Sequence, residues 1–304
     1  MLVGLDLPAR DDGPVRFDGL QERSRVVRSD PDLLFRFAPN ADFLGYYRTN
    51  ALGYRGAGAP RPREEVVRRI VTIGDSCTFG LGVPEEAVYS SRLEQTLRRA
   101  FEGEGDFEVV SLGIPGYSSW QNRRQIESGL EGLAPDAILW MPTGYNDAVA
   151  SGGANDLERG AEARSWGGWF ARRRLVRLVA GPATVDLERE RAGLAVLHEG
   201  ASPRVPVARF REQLEAGATA ARAAGASLLL VRPALDEALL ALDPSLARRE
   251  SEVAEVATAL GLPLVDARRA FAPFEGVPVT SDRLHPNGDG HALLAEAAFR
   301  TLVR

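Results

Sequence analysis

The chain has little with which to build disulfides, metal cages or membrane spans. Its 304 residues include one cysteine, Cys77, which excludes an internal disulfide, reads as a small buried side chain and says little about compartment. No spaced cluster of Cys, His and Asp suggests a metal site, and the glycine-rich segments lack a phosphate-loop pattern, so no cofactor is expected. No run approaches the roughly 20 apolar residues of a membrane span, and the N-terminus lacks the charged-then-apolar order of a signal peptide. The chain is therefore expected to be soluble, with no stable membrane insertion; the expected location is the cytoplasm, or the cell envelope if an anchor once preceded it. Lysine is absent, so all 37 basic residues are arginine, a bias that fits GC-rich coding. The net charge is −5, and basic clusters such as Arg172-Arg173-Arg174 stand isolated in an acidic whole. Nucleic-acid binding thus lacks its electrostatic footprint.

What is present is an alternation. Short, β-branched apolar runs at 70–73, 109–112, 138–141, 228–231 and 264–266 are separated by stretches of helical spacing at 86–101, 120–130, 207–224 and 246–260. Such alternation predicts an α/β fold, a three-layer αβα sandwich with a parallel sheet covered by helices on both faces. With 44% hydrophobic residues, one core domain over 67–304 is expected. Residues 1–66 precede the first core strand and are polar, with apolar islands at 33–37 and 43–47 that suggest an extension packed on the core. Between 148 and 204 the alternation stops, and this insertion, with Trp166, Trp169 and Phe170, reads as a lid or substrate wall. Arg204, where the chain rejoins the core, reads as a surface arginine.

Three strand ends carry polar groups suited to acyl chemistry. Ser76, in Gly74-Asp75-Ser76, sits at the carboxyl end of the first strand, the edge where open α/β sheets place their chemistry. A serine hydroxyl is a poor nucleophile until an imidazole takes its proton and a carboxylate orients that imidazole. Asp282-Arg283-Leu284-His285-Pro286 supplies both groups within one turn of chain, and Pro286 keeps His285 on a loop before a turn at 287–290 and a terminal helix at 291–303. Of the other two histidines, His198 lies in the polar insertion and His291 opens a helix, where capping or exposure explains it. Gly113 and Asn146 follow the next two strands, one offering an unobstructed backbone N–H and the other a side-chain amide. Taken singly, each residue is an ordinary turn or cap residue; their joint placement is what such a reading explains poorly.

In these stretches the chain resembles the SGNH hydrolases, also called GDSL esterases or lipases. The matching segments are 74–80, 111–117, 144–147 and 282–287, in the family's order, with Ser111 standing where relatives often carry Asn. The resemblance implies five strands in a flavodoxin-like order, Ser76 as nucleophile, His285 as general acid/base and Asp282 as its orienting partner. It also implies an oxyanion hole from the backbone N–H groups of Ser76 and Gly113 and the side chain of Asn146. The expected activity is hydrolysis of a carboxylic ester through an acyl-serine intermediate. A short acyl group such as acetyl, on a carbohydrate or other small alcohol, is the expected substrate, because nothing suggests a long apolar groove. An acyltransferase using the same serine, and a non-catalytic binding module on the same fold, are the alternatives.

Overall fold

The computed structural model describes residues 26–43, 47–56, 58, 60–65, 68–128, 130, 132–151, 154–164, 201–274, 279–280 and 283–304. Asp282, His198 and the aromatics Trp166, Trp169 and Phe170 lie outside the described residues, as does most of the segment expected to form a lid.

The described strands are β1 (Val27–Asp30), β2 (Leu34–Phe37), β3 (Asp42–Phe43), β4 (Tyr47–Arg48), β5 (Arg68–Gly74), β6 (Phe107–Ser111), β7 (Ala137–Met141), β8 (Ser227–Arg232) and β9 (Leu264–Asp266). The helices are α1 (Ser76–Phe79), α2 (Tyr89–Ala100), α3 (Ser119–Ser128), α4 (Tyr145–Ala148), α5 (Asp156–Arg164), α6 (Val207–Ala223), α7 (Glu237–Leu242), α8 (Pro244–Leu260), α9 (Ala267–Phe271) and α10 (Gly288–Leu302). The strands β5 to β9 form one parallel sheet in the order β6-β5-β7-β8-β9. All five runs read as strands from the sequence are therefore core strands.

Side chains alternate across the sheet with the period of two that a strand imposes. Ile70, Leu139, Met141, Leu229, Val231 and Val265 pack on one face beneath Leu93 and Leu97 of α2 and Leu294, Ala295 and Ala298 of α10. Val71, Ile73, Ile138, Trp140, Leu228 and Leu230 fill the other face beneath Ile126 of α3, Phe210 and Leu214 of α6, and Val253 and Val256 of α8. Trp140 is fully buried, and α6 reaches it only because residue 217 is glycine: a Cβ there would lie 2.4 Å from the indole ring. At roughly 1.5–3 kcal/mol for each large apolar side chain removed from water, these two layers dominate the stability of the fold.

The described part of 26–56 packs on the core. The hairpin β1–β2 brings Phe35 and Phe37 into a cluster with Tyr47, Phe79, Ile114, Tyr117, Trp120 and Val205. Tyr117 donates its hydroxyl to Phe35 O at 2.7 Å, and Gln121 donates its amide to Leu33 O at 2.7 Å. Farther along, the buried Arg69 donates from Nε to Glu108 Oε2 at 2.7 Å and so ties β5 to its edge neighbour β6.

Three local expectations change. The terminal helix starts at Gly288, three residues before the expected start, because the Asn287 side chain caps it by accepting from Asp289 N–H and Gly290 N–H at 3.0 Å each. His291 is consequently inside that helix and fully buried, neither cap nor surface residue. Arg204 is buried too: its Nη2 pairs with Asp156 Oδ2 at 2.8 Å and donates to Gln121 Oε1 at 2.6 Å, while Nη1 donates to Gly116 O at 2.6 Å. A guanidinium in that position fastens α5 to α3; it is not a surface charge. Among the described residues no helix is long and apolar enough to cross a membrane.

Candidate active site

Strand β5 ends at Gly74 and the chain turns at once into the single turn of α1. Only glycine permits that turn, since a Cβ at residue 74 would lie 2.2 Å from Thr78 Oγ1 and 3.0 Å from Met141 O. Asp75 is the N-cap of α1 and accepts from Cys77 N–H at 2.9 Å, which leaves Ser76 as the first helical residue at the edge of the sheet. Ser76 Oγ stands 2.8 Å from His285 Nε2, and both residues are largely buried. When the ring proton is on Nδ1, the serine hydroxyl donates to Nε2.

The loop carrying His285 is fixed on both sides. Asn287 N–H donates to Val279 O at 3.0 Å, Thr280 and Pro286 form an antiparallel bridge, and Arg283 takes a left-handed φ of 71°. Leu284 is buried, and its carbonyl accepts from the Cys77 thiol at 3.5 Å, so the residue after the serine touches the residue before the histidine. Cys77 is thus the buried small side chain expected. Asp282, the expected orienting carboxylate, lies outside the described residues.

Gly113 follows β6 and lies against α1. A Cβ on it would meet Phe79 N at 2.5 Å and the Thr78 carbonyl carbon at 2.8 Å, so glycine is what lets this loop approach the helix that carries Ser76. Leu112 N–H and Ile114 N–H bond to Thr72 O and Gly74 O, continuing the ladder on both sides of Gly113.

Asn146, in α4 after β7, donates from Nδ2 to Asp75 Oδ2 at 2.9 Å, and Thr143 donates its hydroxyl to the same oxygen at 2.5 Å. An amide nitrogen has two protons, so this bond uses only one of them. Asp75 is fully enclosed, and burial pushes its pKa up; the bonds from Thr143 and Cys77 and the nearby His285 ring oppose that rise. Asp75 is therefore a hub beneath Ser76, His285 and Asn146. The sequence pointed to Asp75 only as a turn or helix-cap residue, and it is such a cap, but gave no sign of Thr143, although Thr143 is next to Gly144 in the segment that contains Asn146.

A second buried carboxylate, Asp147 within α4, ties that helix to α3. Asp147 accepts from Ser119 N–H at 3.0 Å and Ser119 Oγ–H at 2.8 Å, and burial raises its pKa to about 6 against the pull of Arg249 and Arg204. Gly144 leads into α4 at φ 72° directly against Arg249, whose Cδ would lie 2.8 Å from a Cβ there. Nothing in the sequence near 144–147 points to residue 249, because that partner is about a hundred residues away. His291 packs against α2: its Nδ1 accepts from Tyr89 N–H at 3.2 Å, its ring stacks on Tyr89, and burial lowers its pKa to about 3. Among the described residues no group of three or more His, Cys, Asp or Glu side chains is placed to hold a metal ion.

The family model described as GDSL-like Lipase/Acylhydrolase family matches residues 72–293, a span that contains Ser76, Gly113, Asn146 and His285. Among solved structures, the alpha/beta hydrolase enzyme LAE5 from the metagenome of Lake Arreo, Spain, is 20% identical with a TM-score of 0.51, over 78% of this chain and 95% of that one. A catalytic mutant of Axe2, an acetylxylan esterase from Geobacillus stearothermophilus, is 17% identical with a TM-score of 0.51, over 78% and 94% of the two chains. A member of the lipolytic protein G-D-S-L family from Veillonella parvula DSM 2008 is 16% identical with a TM-score of 0.50, over 78% and 100%. At these identities the likeness is one of fold. No match was found among the curated proteins.

Proposed function

The chain belongs to the GDSL-like lipase/acylhydrolase family, and from that premise we propose that it is a serine esterase with Ser76 as nucleophile and His285 as general acid/base. The observation that carries the proposal is the 2.8 Å approach of Ser76 Oγ to His285 Nε2 at the carboxyl edge of the sheet.

In the proposed cycle His285 Nε2 takes the proton of Ser76 Oγ as the oxygen attacks the ester carbonyl carbon. The negative charge on the carbonyl oxygen is met by the N–H groups of Ser76 and Gly113 and by the Asn146 amide proton not given to Asp75. His285 then passes its proton to the departing alcohol, leaving Ser76 acylated. Water attacks the acyl carbon, its proton goes to His285, and collapse of the second tetrahedral intermediate returns the proton to Ser76. Asp282 is assigned the orientation of the imidazole.

For the substrate we propose a short acyl ester, acetyl foremost, on a carbohydrate or other small alcohol. Acetylxylan esterases among proteins of similar fold are in keeping with this choice. A panel of p-nitrophenyl esters from acetyl to palmitoyl tests it: kcat/KM should fall steeply with acyl length, and a maximum at long chains would refute the short-acyl assignment. Added acceptor alcohols should not divert the acyl group; diversion would mark a transferase.

A further inference from the structure

The helix that carries Ser76 is one turn long, and a single turn does not hold itself: nucleation costs more than its one hydrogen bond returns. Its N-terminal end is capped by Asp75. Its C-terminal end is held from outside the segment that matches the family. Arg55, buried at 8% exposure, donates from Nη1 to Phe79 O at 2.7 Å and Gly80 O at 2.5 Å, and from Nη2 to Val83 O at 2.6 Å. These carbonyls belong to the C-terminal end of the helix and its exit loop, at the negative end of the helix dipole, and Gly80 O also accepts from Val83 N–H at 3.3 Å. One planar fork meets all three, which an ammonium on a flexible stem cannot do.

The guanidinium is itself fixed. It lies 4.9 Å from the ring centre of Tyr47 and 5.1 Å from that of Phe79, and the Tyr47 hydroxyl accepts from Gly82 N–H at 2.7 Å. Gly80, at φ 78°, makes room: a Cβ there would press on Arg55 Nη1 at 3.0 Å and Val88 Cγ2 at 2.5 Å. Phe79 N is also the backbone atom against which Gly113 packs. The same short turn therefore links Arg55 to Ser76 and to Gly113.

We infer that Arg55 is a positioning residue for the esterase site, clamping α1 so that the Ser76 hydroxyl, the Ser76 N–H and Gly113 keep the spacing an attacked carbonyl requires. On this account residues 47–55 of the N-terminal extension are part of the catalytic apparatus although they touch no substrate. The inference rests on the assignment of Ser76 as nucleophile.

The test uses the full chain and p-nitrophenyl acetate. Wild type should turn over and Ser76→Ala should not; failure of that control overturns the serine assignment and leaves the Arg55 result to be read separately. Given it, Arg55→Ala should lower kcat by about 10–100-fold with KM within about two-fold, the size of effect that misplacing a reacting group brings. Phosphonylation of Ser76 should slow by a similar factor, and millimolar guanidinium should restore part of the lost rate by refilling the cavity. Arg55→Lys, which keeps the charge and much of the volume, should fold and show a smaller kcat deficit that guanidinium does not relieve. Should Arg55→Ala fail to fold, the lysine variant decides alone. A folded Arg55→Ala or Arg55→Lys with wild-type kcat and wild-type phosphonylation rate would overturn the inference. So would an Arg55→Ala deficit that tracks only the loss of folded protein and is blind to guanidinium.

Discussion

Asn146 Nδ2 donates to Asp75 Oδ2 at 2.9 Å, joining the strand end after β7 to the residue that precedes the proposed nucleophile. The bond sets the amide plane of Asn146 and gives Asp75, which has no solvent, one of its few donors. The bond thus joins the proposed oxyanion donor, Asn146, to Asp75, the cap of the helix that carries Ser76.

Asn146→Ala should lower kcat by roughly 10²–10³ with little change in KM if the second amide proton meets the oxyanion. It should also cost about 1–3 kcal/mol of stability, because a buried carboxylate oxygen loses a donor. Measuring kcat and Tm on one preparation separates the two effects. A destabilised variant with full kcat would remove Asn146 from the oxyanion hole.

Asp75→Asn should be worse for its surroundings than the change in charge suggests. Asn can keep the oxygen that caps Cys77 N–H, but its amide then faces the Thr143 hydroxyl and the Asn146 amide, donor against donor. We expect Tm to fall and kcat to drop at least about ten-fold through the displaced Asn146. Unchanged kcat in the folded variant would contradict the hub.

Activity should decline on the acid side, because His285 must be neutral to accept the serine proton. An unperturbed imidazole titrates near ~6.5, so the limb should lie around that value, moved by whatever carboxylate orients the ring. A flat kcat/KM profile down to about pH 4.5 would exclude a histidine base.

Two buried groups should tilt stability against pH in opposite directions. Asp147 has its pKa raised to about 6, so between the ordinary carboxylate value and 6 the folded chain holds a proton that the unfolded chain has lost; its contribution to stability falls as pH rises through that window. His291 has its pKa lowered to about 3, so between about 3 and the ordinary imidazole value the unfolded chain binds the extra proton; its contribution falls as pH drops. Each slope approaches about 1.4 kcal/mol per pH unit. Between roughly pH 4 and 6 they oppose each other, and denaturation curves of His291→Gln should expose the slope of the raised carboxylates, Asp147 and Asp75 among them, with stability rising toward acid. Equal pH dependence in wild type and variant would contradict the account of His291.

The sheet was legible because parallel strands buried on both faces read as short apolar runs, and each of the five runs became a strand. The placement of Ser76, Gly113 and Asn146 just past strand ends was legible for a related reason: a strand end is marked by the switch from apolar run to glycine and polar residues. The supports were not legible. Arg204 read as a surface arginine and Arg55 and Arg249 carried no reading at all, because nothing local to each reveals the carbonyls or carboxylates, dozens of residues distant, that bury them. His291 was misjudged because the helix start was placed after the Asn-Gly-Asp-Gly segment, whose Asn287 is the cap and whose remaining residues are already helical.

The most direct test of the central claim is peptide mapping after reaction with a fluorophosphonate on the full chain. One adduct should form, on the peptide that contains Ser76, and inactivation should rise in step with it. An active preparation that carries no adduct at Ser76, or one inactivated by labelling at a different residue, would contradict the assignment of Ser76 as the nucleophile.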